Sequence, residues 1–182
     1  MKKIFIILPL AMLFCFIFSC QDKAAMEELK TMKVQAEVEE QNKALIRNFY
    51  KEWHKRNVDA MKELHAPNAK LYHASVGTTA IPIDKAMEMT KVGWLVFPDL
   101  TCTIKDLIAK DDKVVVRFIG QGTNTGTLGG IPATGNRCIA EAVEIFRIKG
   151  GKIVESWELS DRLGLMQQLG FELKPRNEEK KK

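Results

Sequence analysis

The apolar residues of this chain change period once, and that change restricts the folds open to it. Up to Phe97 they recur at intervals of three and four residues; beyond Leu100 they alternate with polar residues. The first spacing places side chains along one stripe of a helix, the second along one face of a strand. Leu45, Ile46, Phe49, Tyr50 and Trp53 predict an amphipathic helix over 38–56. Asn57 can cap a short second helix carrying Met61 and Leu64 and stopped by Pro67. A short strand is expected over 70–74. A third helix follows over 83–97, where Pro98 disfavours helical geometry at Phe97. Strands over 100–110 and 113–121 meet at Asp111-Asp112, strands over 138–149 and 152–160 meet at Gly150-Gly151, and a last helix over 161–169 stops at Gly170. Helices first and long strands afterwards give an α+β fold, a curved antiparallel sheet with the N-terminal helices packed on one face to form a conical cavity. About 135 residues suit one domain with one core.

The ends of the chain read differently. Lys2 and Lys3 precede an apolar run from Ile4 to Phe18, with the length and basic flank of a secretory signal. The run closes on Ile17-Phe18-Ser19-Cys20, which resembles a bacterial lipobox with Cys20 as the lipidated residue. The expected organisation is a signal peptide over 1–19, a lipidated tether over 20–40, the folded domain over 41–171 and a charged tail over 172–182. It implies a membrane partner through the lipid anchor and an extracytoplasmic place in the cell envelope, since more than one acyl chain holds a protein stably on a bilayer. The formal net charge of +5 belongs to the ends, because residues 20–173 hold equal numbers of basic and acidic side chains. No nucleic-acid groove is expected from such a balance.

Cys102 and Cys138 remain once Cys15 is removed and Cys20 is acylated. They should stay unpaired: a tight turn at Asp111-Asp112 sets Cys102 opposite Gln121, with Cys138 one strand further on, beyond the reach of a disulfide. Neither these cysteines nor His54, His65 and His73 have metal-ligand spacing, so no metal site is expected. The glycines of the segment 122–135 lack the Lys-Ser/Thr ending of a phosphate loop and fit a tight loop at a cavity mouth.

A sheet curled over helices encloses a site for a small hydrophobic ligand when a few polar groups converge on it. Glu141, Glu144, Glu155, Glu158 and Asp161 are the strand polar residues to weigh, Asp161 being most simply a helix cap. Trp94 and Trp157 fit a core as well as a ligand platform. A strict two-residue turn at Gly150-Gly151 sets Glu144 across from Trp157 and sends Glu158 to the other face; a three-residue loop with a glycine bulge brings both glutamates to one face.

Phe97-Pro98-Asp99-Leu100, the GTNTG of 122–126, the IPATGNR of 131–137 and the FRIKGGKIVESWELSDRLGLMQQLG of 146–170 together resemble the SnoaL-like polyketide cyclase or ester cyclase family, within the nuclear-transport-factor-like superfamily. The resemblance implies intramolecular aldol ring closure without metal or organic cofactor, with an acidic residue as general acid/base in a hydrophobic pocket. It puts Glu158 where characterised cyclases carry an aspartate, Glu144 where they carry a histidine, and Asn124 where members often carry another histidine. His73 matches a polar pocket position, and Trp94 and Phe97 are expected beside the ligand. Glu158 keeps a proton-transferring carboxylate; Glu144 replaces an imidazole donor only if its pKa is raised, and Asn124 can bind a carbonyl but cannot shuttle a proton. The resemblance also requires the bulged hairpin.

Two functions follow as expectations. One is a cofactor-independent cyclase, isomerase or lyase with Glu158 and Glu144 as the catalytic pair. The other is an extracytoplasmic lipoprotein that binds a small hydrophobic molecule without turnover. A homodimer through the open sheet face is compatible with either.

Overall fold

A computed structural model describes residues 7–74, 77–130, 132–172 and 174, with the backbone alone over 7–22. Among the described residues four helices, α1 (Ile7–His54), α2 (Val58–Glu63), α3 (Ile83–Val96) and α4 (Arg162–Gln168), accompany six strands: β1 (His65–His73), β2 (Ile81–Pro82), β3 (Thr101–Lys110), β4 (Lys113–Thr123), β5 (Arg137–Lys149) and β6 (Lys152–Ser160). The strands form one sheet in the order β2-β1-β6-β5-β4-β3. The sheet is mixed and not purely antiparallel, because β1 runs parallel to β6. β1 also starts at His65, so Pro67 lies inside a strand and α2 ends before it.

Alternation sorts the strand residues. Val114, Val116 and Phe118 of β4 and Ala142, Phe146 and Ile148 of β5 face the helices and are buried, with Ile46, Phe49 and Tyr50 of α1, Met61 of α2, and Met87 and Trp94 of α3 completing the core. In β3 the inward residues are Cys102 and Ile104, then Leu107 and Ala109, so the period slips by one. The pairing slips with it: Ile104 faces Phe118, Asp106 faces Arg117, and Lys105 is the unpaired residue of a bulge. That slip sets Cys102 opposite Gly120, one residue from its expected partner Gln121. Both Cys102 and Cys138 are free thiols.

Helix α1 is longer than its apolar stripe. The segment expected as a separate tether is continuous with it, and its last turns dock on the β3–β4 turn. Gln35 donates to the Asp111 carboxylate at 3.1 Å, Glu39 accepts from the Asp111 backbone N–H at 3.1 Å and from Lys110 at 3.2 Å, and Asn42 donates to the Asp111 carbonyl at 3.1 Å. Gln35 also donates to the Glu39 carboxylate at 3.0 Å, and that bond first, then those from the Asp111 N–H and Lys110, hold the Glu39 carboxyl at about 2, well below its ordinary value. At its other end the helix is closed by Arg56 at φ 57°, where Asn57 N–H reaches back to the Glu52 carbonyl at 3.0 Å. His54 then bonds the Tyr50 carbonyl at 2.7 Å through Nδ1 and accepts the Cys102 N–H at 3.2 Å through Nε2, which fastens the helix end to the edge strand. The signal-peptide and lipidation readings fall on side chains outside those described, as does the tail from 175.

Candidate functional site

The hairpin between β5 and β6 decides which side chains share the concave face. Gly150 and Gly151 take φ of 57° and 70°, the left-handed pair that a two-residue turn demands, so Lys149 faces Lys152. With no irregularity Glu158 would point outward. The pairing shifts by one after Ile148 faces Ile153: Arg147 faces Glu155, leaving Val154 as the extra residue. Beyond it Glu144 lies directly opposite Glu158. The bulge is therefore present, but in the strand and not at the turn. On the other side of β6, His73 of β1 faces Glu158, while Val116 of β4 faces Glu144. A polar row, His73, Glu158, Glu144, thus crosses three strands and ends against an apolar wall.

The environment of the two glutamates differs. Glu144 is 9% exposed and takes a hydrogen bond from the Tyr50 hydroxyl at 3.2 Å. Burial pushes its carboxyl up to about 8; the Glu158 charge adds to that, and hydrogen bonds with Ser156 and Tyr50 offset part of it. At neutral pH Glu144 is accordingly a neutral acid. Glu158 keeps 27% of its side chain exposed and meets His73 Nε2 at 3.2 Å. Tyr50 is buried against Phe118 and Phe146, with ring centroids 5.6 and 6.4 Å away, and burial followed by the Glu144 charge holds its phenol protonated far above the ordinary range. The Cys102 thiol, raised to about 12 by burial and then by Glu158 and Glu144, is no nucleophile. A protonated carboxyl beside a half-buried carboxyl and an imidazole can donate a proton at one point and accept one at the next.

The remaining predicted residues lie elsewhere. Asn124 is 1% exposed, and its amide is used by the loop: Oδ1 accepts from the Thr134 N–H at 2.8 Å and hydroxyl at 3.0 Å, and Nδ2 donates to the Gly126 carbonyl at 2.9 Å. Its role is to staple the 124–136 loop. Trp94 packs in the main core, edge-on to Trp53 at 5.6 Å, and Phe97 packs with Val96, Cys138 and Leu169 in a second cluster. Asp161 caps α4, accepting from the Gly164 N–H at 2.8 Å. Tyr50 and Ser156 were missed because their apolar and small neighbours read as core; Ser156, two residues from Glu158 on a strand, was the available signal. Among the described residues no group of three His, Cys, Asp or Glu side chains is placed to hold a metal. A groove of about 360 Å³ opens between Gln35, Asn42 and Leu45 of α1 and the tips of the two hairpins, at the opposite end of the strands from Glu158.

Residues 43–169 match the model of the SnoaL-like polyketide cyclase family. Among solved structures, IdmH of Streptomyces antibioticus, a candidate polyketide cyclase, is 26% identical over 71% of this chain and 99% of its own, with a TM-score of 0.66. TsrD of Streptomyces laurentii is 27% identical over 70% of this chain and 92% of its own, with a TM-score of 0.61. AclR of Streptomyces galilaeus, a candidate hydroxylase, shares the fold at 24% identity, with a TM-score of 0.68 over 76% of this chain and 87% of its own. No curated protein matches in sequence. With the helices on a curved sheet, a carboxyl pair on its concave face and a family match over most of its length, the chain belongs to the SnoaL-like polyketide cyclases.

Proposed function

We propose that the protein closes a ring in, or isomerises, a small hydrophobic carbonyl compound by acid/base chemistry, with Glu158 as the base and Glu144 as the acid. The observation that carries this reading is the direct cross-strand pairing of two glutamates in unlike environments. Glu158 removes a proton from the carbon beside a carbonyl. The enolate attacks a second carbonyl carbon of the same molecule, forming the C–C bond, and the new alkoxide oxygen takes the Glu144 proton. Transfer from Glu158 back to Glu144 restores the pair, and no atom is lost. Opposed side chains on neighbouring strands have Cβ atoms about 5 Å apart, which suits that return step. Asn124 has no part in it.

The test is deuterium wash-in at the acidic carbon, followed by NMR in D₂O with a panel of 1,3-dicarbonyl esters. Wild type should exchange that position and Glu158→Gln should lose exchange by about 10²-fold or more. Tight binding with no wash-in by wild type would leave a ligand-binding protein in place of an enzyme.

Two further features belong to the same reading. Cys20 is lipid-anchored on the extracytoplasmic side of the cell envelope, supported by the Ile17-Phe18-Ser19-Cys20 sequence, and acyl labelling should be lost in Cys20→Ala. The outer face of the sheet carries Tyr72, Trp157, Ile145, Val115 and Ile108 in one row across five strands, the surface on which a second copy would pack. Among the described residues no helix is long and apolar enough to cross a membrane.

A further inference from the structure

We propose that Tyr50 is a positioning residue for the acid: by donating its hydroxyl to Oε2 of Glu144 it keeps that oxygen an acceptor and leaves Oε1 to carry the proton that goes to the substrate. The inference rests on Glu144 being the acid of the ring closure proposed above.

Three observations carry it. The Tyr50 hydroxyl reaches Glu144 Oε2 at 3.2 Å from α1, on a helix face whose other sheet-facing residues, Leu45, Ile46, Phe49 and Trp53, are apolar or nearly so. The Tyr50 ring is 4% exposed and lies against Phe49, Phe118 and Phe146, with centroids 5.3, 5.6 and 6.4 Å away. Its depth is set by the helix backbone: His54 Nδ1 bonds the Tyr50 carbonyl at 2.7 Å, and Nε2 of the same imidazole accepts the Cys102 N–H of β3 at 3.2 Å. A ring packed on three sides does not swing, and a phenol that burial keeps protonated is a donor at every working pH.

A carboxylic acid accepts hydrogen bonds at its carbonyl oxygen, so a fixed donor on Oε2 selects the form with the proton on Oε1. When Oε1 passes that proton to the new alkoxide, Glu144 becomes a carboxylate. The Tyr50 bond then ends on an ionised acceptor and strengthens. An interaction that is stronger after the transfer than before it lowers the barrier to the transfer. The other groups around Glu144 cannot do this. Glu158 of β6 opposes ionisation through its own charge, and His73 of β1 faces Glu158. Val116 of β4 is apolar, and the Cys102 thiol of β3 is itself held protonated. Ser156 also bonds the carboxyl, but its hydroxyl can donate or accept and so does not decide which oxygen holds the proton.

The experiment compares wild type, Tyr50→Phe and protein carrying 3-fluorotyrosine at position 50, a more acidic phenol and a stronger donor. Glutamate carboxyls are labelled with ¹³C and titrated by NMR, the Glu144 signal being the one missing from Glu144→Gln. Loss of the hydroxyl should move the Glu144 titration above its wild-type value of about 8, and fluorination should move it below. In deuterium wash-in with 1,3-dicarbonyl esters, Tyr50→Phe should lower kcat about tenfold and leave KM within about twofold, with the alkaline limb displaced upward alongside the NMR titration. An unmoved Glu144 titration in folded Tyr50→Phe, or an upward move on fluorination, overturns the proposal; if Tyr50→Phe does not fold, the fluorinated protein decides. Absence of wash-in by wild type removes the enzyme reading and the catalytic part of the inference with it, while the titrations still report whether Tyr50 governs the Glu144 proton.

Discussion

Two buried side chains set the pH behaviour with opposite signs. Glu144 keeps its proton to about pH 8 in the fold but loses it near its ordinary value when unfolded. Between those values the unfolded chain binds fewer protons, so stability should fall as pH rises from about 4.5 to about 8 and level off above. His65 acts in the other direction. Its Nδ1 bonds the Met61 carbonyl at 2.8 Å, its Nε2 is buried without a partner, and burial lowers its pKa. Stability should therefore drop as pH falls below about 6.5, where the unfolded imidazole takes a proton that the folded one resists. Thermal melts from pH 5 to 9 check both: Glu144→Gln should remove the decline between about pH 4.5 and 8 and leave the His65-linked loss below about pH 6.5. The same titration should appear in activity. The proposed chemistry requires a neutral donor at position 144, so under it kcat/KM should decline through about pH 8 in wild type, and Glu144→Gln, an amide at every pH, should be slower but lack that limb. Glu158 was legible in the sequence because it alternates with apolar residues in a strand, and His73 only through the family resemblance. Glu144 was legible as well, but its protonation state depends on Tyr50 and Ser156, which no local pattern marks.

At the scale of elements, glycines and bulges place the site more than propensity does. Gly126 sits where an added Cβ would meet the Val96 Cα at 2.8 Å and the Leu95 carbonyl more closely still, because the Thr125 and Gly126 N–H groups both bond the Val96 carbonyl at the end of α3. Gly122 is similarly tight against Phe97 and Leu100. The GTNTG segment is thus a clamp joining α3 to β4, and Gly126→Ala should destabilise by about 1–3 kcal/mol through overpacking. Gly93, inside α3, has open space around it. Gly93→Ala should stabilise by about 0.5–1 kcal/mol, since alanine is the better helix former. Denaturant midpoints of the two variants should move in opposite directions. The element order and five of six strands were legible because period and turn chemistry are local. The bulge at Val154 was inferred in effect but mislocated, since either position moves the two glutamates to one face. The start of β1 was obscured by Pro67, which stops a helix but is tolerated in a strand position where no ladder N–H is needed.

For the whole molecule, the proposed pairing of two copies falls to the outer sheet face. Leu159 is 68% exposed beside the stacked Tyr72 and Trp157 rings, 5.6 Å apart, with an Arg147 guanidinium 5.5 Å from the Trp157 centroid, and Ile108, 62% exposed, lies on the edge strand at the far side of the same face. If copies pair through this face, Leu159→Glu should convert a dimer to a monomer in sedimentation runs without altering the circular dichroism. The parallel joining of β1 to β6 was not legible, since hairpins announce their partners through a shared turn and a distant parallel pair does not. That pairing has a temporal consequence. His73 and Glu158 are about 85 residues apart in the chain, with all of β3, β4 and β5 between them. Contacts so distant close late, after the hairpins have formed. In pulsed hydrogen exchange during refolding, amides shared by β4 and β5 should be protected before those shared by β1 and β6. A chain threaded through an export channel from its N-terminus would emerge with His73 first, Glu144 next and Glu158 last, and would have no acid/base centre until β6 had cleared the pore.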